Sequence, residues 1–254
     1  MNSPNAASTA TAYARSCPRP LAKTHCWKNA GSRSESPTIP TGLRPPTGIP
    51  GKVTFDGKDI TAKRPDRITA AGVARTFQNI RLFATMSALE NVMVGQHARM
   101  KAGLFGSIVR LPSVRKEERE VTDHAREMLS YVGLAEEQHE QLAINLAYGD
   151  QRRVEIARAL ASGPKLLLLD EPTAGMNPQE SKRLTEFMRR LRDEKGLAIL
   201  LIEHDMQVVM DVSEHITVLD HGEKIAEGAP EEVRNEERVI EAYLGKQADS
   251  SGES

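Results

Sequence analysis

The sequence predicts an α/β protein with a helical subdomain set into it, and three observations carry that prediction. Two runs, "LLLL" (166–169) and "LAILLIEH" (197–204), are nearly continuous aliphatic strands. Each is followed by a segment of helical spacing, the pattern of a mostly parallel sheet covered on both faces. Between Gln78 and Tyr148 there is helix and loop with little strand, which places a helical insertion at about 79–162.

Residues 1–50 differ from the rest. They hold 8 of the 14 prolines and six Lys/Arg against Glu35 alone, and their only larger aliphatic residues are Leu21, Ile39, Leu43 and Ile49. Such a stretch cannot bury enough apolar surface to offset its ordering entropy, so disorder without a strand is expected. Its Arg- and Ser-rich texture resembles a transit peptide, but the amphipathic helical period is missing. The globular part is expected over 51–245, with 246–254 a disordered tail.

From Gly51, "GKVTFDGKDI" reads as a β-hairpin around an Asp56-Gly57 turn, with Val53 and Phe55 inward. Residues 116–132 place Val121, Ala125, Met128, Leu129 and Val132 on one helical face. A second helix over 149–162 turns Val154, Ala157, Leu160 and Ala161 inward. After the strand 166–169, Asn177 caps a helix that has Pro178 at its first position and Leu184, Phe187, Met188 and Leu191 on its inner face. A short helix over 206–213 and a hairpin over 215–228 complete the pattern.

The bulk numbers bound the function. A chain of 254 residues with net charge -1 has no apolar run near the 18 or so residues of a membrane helix, so any membrane association is expected to go through a partner. Cys17 and Cys26 suggest no disulfide framework, and an intracellular setting is the simpler expectation. No basic patch follows residue 50, which argues against nucleic acid as a partner.

Both aliphatic strands end in ionisable groups, Asp170-Glu171 and Glu203-His204. In a parallel sheet ligands gather beyond the carboxyl ends of the strands. On an extended chain Asp170 and Glu171 would point to opposite sides, so one could bind a divalent cation while the other polarises water. Taken singly, "DEP" also fits a solvated strand end, and His204 a hydrogen-bonded structural histidine.

The combination decides between these readings. "RTFQNIRLF" (75–83), "LAYGDQRRVEIARALA" (146–161), "LLLLDEP", "AGMN" and "LLIEHDM" occur in the order and spacing that resemble the nucleotide-binding domain of ABC transporters. This resemblance implies a P-loop NTPase-like core sheet, ATP and Mg²⁺ as cofactors, and roles at matched positions. Gln78 resembles the Q-loop glutamine, a ligand of Mg²⁺ and water that also senses the transmembrane partner. Leu146, Ala147, Tyr148, Gly149, Asp150 and Gln151 resemble the signature motif, whose helix N-terminus and Gly149 amide would meet the γ-phosphate of a nucleotide held by a second copy. Asp170 resembles the Walker B aspartate on Mg²⁺, Glu171 the general base, Ala174 to Asn177 the D-loop, and His204 the switch histidine.

"LAYG" with Ala147 in place of the usual serine, together with "ALENVMVG", "DEPTAGMNP" and "VLDHGEKIAEG", resembles the branched-chain amino acid importer ATPases. The lipopolysaccharide-export ATPases share much of this pattern but usually keep the serine. The importer resemblance implies a second ATP-binding subunit (homo- or heterodimer), two transmembrane permease subunits, indirectly a periplasmic or extracellular solute-binding protein, and a peripheral place on the cytoplasmic face of the membrane.

One element is missing. An ATPase of this kind needs G-x-x-x-x-G-K-[ST], whose glycines let backbone amides approach the phosphates, and no such string occurs in the chain. Family spacing puts it at 27–34, which here reads "WKNAGSRS", with Trp27 and Ser32 for the glycines and Arg33 for the lysine. Pro37 and Pro40 fall where the next helix should run, at about 3 kcal/mol each. Residues 1 to about 40 therefore read as the product of another reading frame. The alternatives are a nucleotide-incompetent regulatory subunit and a novel site built by this N-terminus.

Overall fold

The computed structural model describes residues 9–14, 52–96 and 112–244. In chain order these form β1 (Thr9–Ala14), β2 (Thr54–Phe55), β3 (Lys58–Asp59), α1 (Pro65–Ala70), β4 (Val73–Arg75), α2 (Ala88–Gly95), α3 (Pro112–Tyr131), α4 (Tyr148–Ala161), β5 (Leu166–Asp170) and α5 (Pro178–Lys195). They continue with β6 (Ala198–Glu203), α6 (Met206–Val212), β7 (His215–Asp220), β8 (Glu223–Gly228), α7 (Pro230–Arg234) and α8 (Glu237–Val239). The chain divides into two compact units, one of residues 1–68 with 188–254 and one of 69–187.

In the 69–187 unit, β4 and β5 pair in parallel, with Arg75 opposite Leu168. Helices α2, α3 and α4 pack on one another. Their contact faces are those expected, since Val121, Ala125, Met128, Leu129, Val132, Val154, Ala157, Leu160 and Ala161 are all buried. Ser87 and Glu90 close a capping box at the start of α2. Each satisfies a backbone N–H of that first turn. Gly95 ends α2 where a Cβ would lie 2.2 Å from the carbonyl oxygen of Arg158, so only glycine lets these two helices approach.

Leu167 and Leu169 are buried while Leu166, Leu168 and Asp170 are half-buried. Instead of being covered equally on both faces, β5 alternates. Its last residue therefore reaches partial exposure while its leucines anchor the strand.

In the other unit, the hairpin β2–β3 forms around Asp56-Gly57 as expected, and Phe55 is buried. Val53, expected inward, is 47% exposed. It precedes the two-residue ladder, and its backbone bonds instead to Ile60 and Thr61. A larger departure is β1, since residues 1–50 were expected to supply no strand. "TATAYA" carries β-branched Thr9 and Thr11 and aromatic Tyr13 at alternate positions. It pairs antiparallel with both β6 and β7, Ala10 standing opposite Glu203 on one side and Val218 on the other. Strand β8 adds antiparallel to β7 as the hairpin expected over 215–228, and it is β1, antiparallel to both of its neighbours, that departs from the mostly parallel sheet expected. The α/β class stands.

The C-terminal half of α5 buries Met188 and Leu191, and Arg189 donates to the carbonyl of Asp211 on α6. Residues 27–34, 246–254, Cys17 and Cys26 lie outside the described residues.

Candidate functional site

Strand β5 ends at Asp170, and the chain turns sharply there. Glu171 sits at φ 42°, a left-handed conformation that a non-glycine residue adopts at a cost of about 1–3 kcal/mol. The expectation that Asp170 and Glu171 diverge as neighbours on an extended strand therefore has the wrong geometry, because the strand has already ended. The two carboxylates do differ in their partners. Asp170 Oδ2 accepts from Arg75 Nη2 at 2.9 Å, across the parallel pair. Glu171 Oε2 accepts from Gln78 Nε2 at 2.8 Å.

The segment that carries Gln78 leaves β4 without entering another helix or strand until α2. Phe77 is held by two guanidiniums, with Arg75 5.3 Å and Arg81 4.8 Å from its ring centroid. Arg152 of α4 reaches across and donates to the carbonyls of Phe77 and Gln78. Beside it, Arg158 lies 4.0 Å from Glu155, and burial pulls its guanidinium below the ordinary value, an effect that Glu155 opposes.

The signature residues begin α4. Leu146 is buried, and its carbonyl accepts from Gln151 Nε2. Ala147 occupies the N-cap position and makes no side-chain cap bond, so the missing hydroxyl also leaves the first-turn amides without a protein acceptor on the cap. Tyr148 is exposed, and its ring faces Gly175, which sits at φ 77°. Asp150 accepts from Arg153 and Gln138. At Gly149 an added Cβ would meet Glu180 Oε1 at 3.5 Å, an ordinary contact, so nothing among the described residues requires glycine there.

Asn177 caps α5 as expected: its Oδ1 accepts from the Glu180 amide while Glu180 Oε2 accepts from the Asn177 amide. In the other unit, His204 follows β6 with its side chain 57% exposed, next to a fully buried Glu203 that accepts from the His204 amide.

The structure thus brings Gln78 to Glu171 and sets Asp170 beside Arg75, while the residues 146–151 form the start of a separate helix. Three participants escape a reading of the sequence by motif: Arg75, Arg152 and Glu155. The spacing of Arg152 and Glu155, three apart on a helix, is a signal that could have found the last two. Glu180 was equally readable, as the fourth residue of an Asn-x-x-Glu capping box.

As to Mg²⁺, no group of three or more His, Cys, Asp or Glu that could hold a metal occurs among the described residues. One carboxylate (Asp170) and one amide (Gln78) do not make a resident metal site. They suit Mg²⁺ that arrives with phosphate oxygens and keeps several waters.

The strand-end carboxylates, the glutamine bonded to one of them and the glycine near the start of α4 lie within the motifs by which the sequence resembles a nucleotide-binding cassette. The chain belongs to the ABC transporter family, which it matches over residues 39–174, and residues 223–249 match the family segment described as "Branched-chain amino acid ATP-binding cassette transporter". The first match begins past the stretch 27–34. The chain is 46% identical over 206 residues to the high-affinity branched-chain amino acid transport ATP-binding protein LivG of Salmonella typhimurium, covering 81% of this chain and 80% of that one. It is 43% identical over 206 residues to BraF of Pseudomonas aeruginosa, a protein of the same description, with the same coverage of both chains. Among solved structures it resembles the ADP conformation of the ATP-binding cassette MJ1267, with a TM-score of 0.63, 32% identity and 77% of each chain covered. The resemblance read from the motifs is borne out.

Proposed function

We propose that this chain is the ATP-binding subunit of an importer for branched-chain amino acids, working as one of a pair of cassettes on the cytoplasmic side of two membrane permease subunits. The observation that carries this reading is the hydrogen bond of Gln78 Nε2 to Glu171 Oε2 beyond the end of β5, in a chain so similar to ATP-binding proteins of that transport class. Among the described residues no helix is long and apolar enough to cross a membrane, which agrees with a subunit that reaches its membrane through partners.

Mg²⁺ bound with the nucleotide would stabilise the charge that develops on the phosphates. Asp170 would supply its anionic ligand. The Arg75–Asp170 pair is half-exposed and contributes about 0–1 kcal/mol, so exchanging the guanidinium for a cation costs little. Glu171 takes the proton of the attacking water. Gln78 fixes one carboxylate oxygen of Glu171 and keeps its own amide oxygen for water or metal. The first-turn amides of α4, at Gly149 and its neighbours, donate to phosphate oxygens of the nucleotide on the second cassette. His204 is assigned the γ-phosphate contact on resemblance.

Phe83, Met86, Leu142 and Ile144 are large apolar side chains left exposed, and the backbones of 84–87 and 142–144 are hydrogen-bonded to each other. This apolar area supports docking of a permease segment.

A second reading is favoured by one observation, the absence of G-x-x-x-x-G-K-[ST]. It makes the chain a regulatory cassette that lends its signature helix to a partner's nucleotide without turning over ATP itself. ATP hydrolysis by the purified chain, beside Glu171→Gln, separates the two. The enzyme reading expects turnover that the substitution removes, and equal rates in both would sink it in favour of the regulatory reading.

A further inference from the structure

We propose that Arg152 is a positioning residue: from inside α4 it holds the backbone of Phe77 and Gln78 and thereby sets the contact of Gln78 with Glu171. The proposal rests on the reading above that Glu171 handles the attacking water.

The geometry is specific. Arg152 is fully buried. Its Nη1 donates to the Phe77 carbonyl at 2.7 Å and to Glu155 Oε2 at 2.7 Å, and its Nη2 donates to the Gln78 carbonyl at 2.8 Å. Glu155, almost as buried, accepts the Arg81 amide on its other oxygen at 3.5 Å. One ion pair on α4 therefore meets the loop at 77, 78 and 81. Residues 76–83 lie outside helix and strand, so buried carbonyls there depend on donors from elsewhere.

Stability alone does not account for this choice. A buried ion pair is often no better than apolar residues of the same volume, because desolvation offsets the attraction. Here the compensation is incomplete, since Arg152 Nε is buried without a hydrogen-bond partner. What a guanidinium provides and a leucine cannot is a planar fork of donors aimed at two successive carbonyls. Those carbonyls belong to the peptide units on which the Gln78 side chain is mounted. The same helix starts at Tyr148, about one turn before Arg152.

The test uses the full chain with Arg152→Lys and with the paired change Arg152→Met, Glu155→Leu. The paired change removes both members of the Arg152–Glu155 ion pair together, so neither is left without the other if the single substitution fails to fold. Amide hydrogen exchange is measured over 77–81 and over 154–161. Loss of charge-assisted hydrogen bonds should raise exchange at 77–81 at least about tenfold while 154–161 stays unchanged. No rise at 77–81, or an equal rise through α4, would overturn the proposal. ATP turnover adds a cycle with Gln78→Ala. If Arg152 acts through Gln78, Arg152→Lys lowers kcat without changing KM and costs nothing further in the Gln78→Ala background, whereas additive losses count against it. A chain with no turnover above Glu171→Gln is a failure of the proposed function, and the exchange measurement still decides the role of Arg152.

Discussion

Strands β5 and β6 end alike in sequence and differently in structure. Each is an aliphatic run that closes on an acid, Asp170 or Glu203, followed by another ionisable residue, Glu171 or His204. The Asp170 side chain is 23% exposed and shared with Arg75, whereas the Glu203 side chain is fully buried and takes a backbone amide from its own neighbour. An acid at a strand end is therefore only a candidate for chemistry. Whether it can meet a ligand depends on how far the pleat carries it out of the core, which the leucines do not specify.

That contrast can be broken by substitution. Glu203→Ala should cost about 2–3 kcal/mol, because it opens a hole at a fully buried side chain and takes an acceptor from the His204 amide, while Asp170→Ala should cost under about 1 kcal/mol. Midpoints of denaturant unfolding measure both, and the reverse order would contradict the burial argument. Two glycines sharpen the same distinction between architecture and chemistry. Gly95→Ala forces a Cβ onto the Arg158 carbonyl and should destabilise by about 1–3 kcal/mol. Gly149→Ala meets only ordinary contacts, so thermal unfolding should move by less than about 0.5 kcal/mol while nucleotide-dependent pairing of cassettes weakens.

A smaller effect is expected at the strained turn. Glu171→Gly removes the penalty at φ 42° and should stabilise the chain by about 1 kcal/mol, whereas Glu171→Gln keeps the strain and leaves stability unchanged. The smallest concerns the β7–β8 hairpin. Hydrogen bonds from Lys224 and His215 hold the Glu227 carboxyl below its ordinary value of 4.5. A depressed acid contributes stability that is present above that value and fades as pH falls through the folded value. Glu227→Gln should therefore lower stability slightly at neutral pH, where that contribution is fully present, and flatten the acid limb below about pH 4.5, where the unsubstituted chain loses it.

Much of this was legible from the residues. The helical faces, the capping Asn177 and the strand over 166–169 follow from periodicity and cap chemistry, and the motifs led to the family. Three things were not legible. Thr9–Ala14 falls in a stretch whose composition predicts no ordered element, and composition does not show the backbone pairing with two neighbours that makes it a strand. The left-handed turn at Glu171 is set by what surrounds it, as the residue type itself disfavours it. Arg152 and Glu155 sit on a helix whose periodicity marks only its apolar face, and their burial became visible only once the loop they hold was in place.

The central claim is that the carboxylate beyond β5 performs the chemistry and the carboxylate at the end of β6 supports the fold. The most direct measurement is ATP turnover by the purified chain with Glu171→Gln and with Glu203→Gln, each checked for cooperative unfolding. The account predicts a loss of about 10²- to 10⁴-fold for Glu171→Gln. It predicts retained turnover for Glu203→Gln, whose amide oxygen can still accept from the His204 backbone. Equal turnover in the two variants, or loss confined to Glu203→Gln, would contradict it.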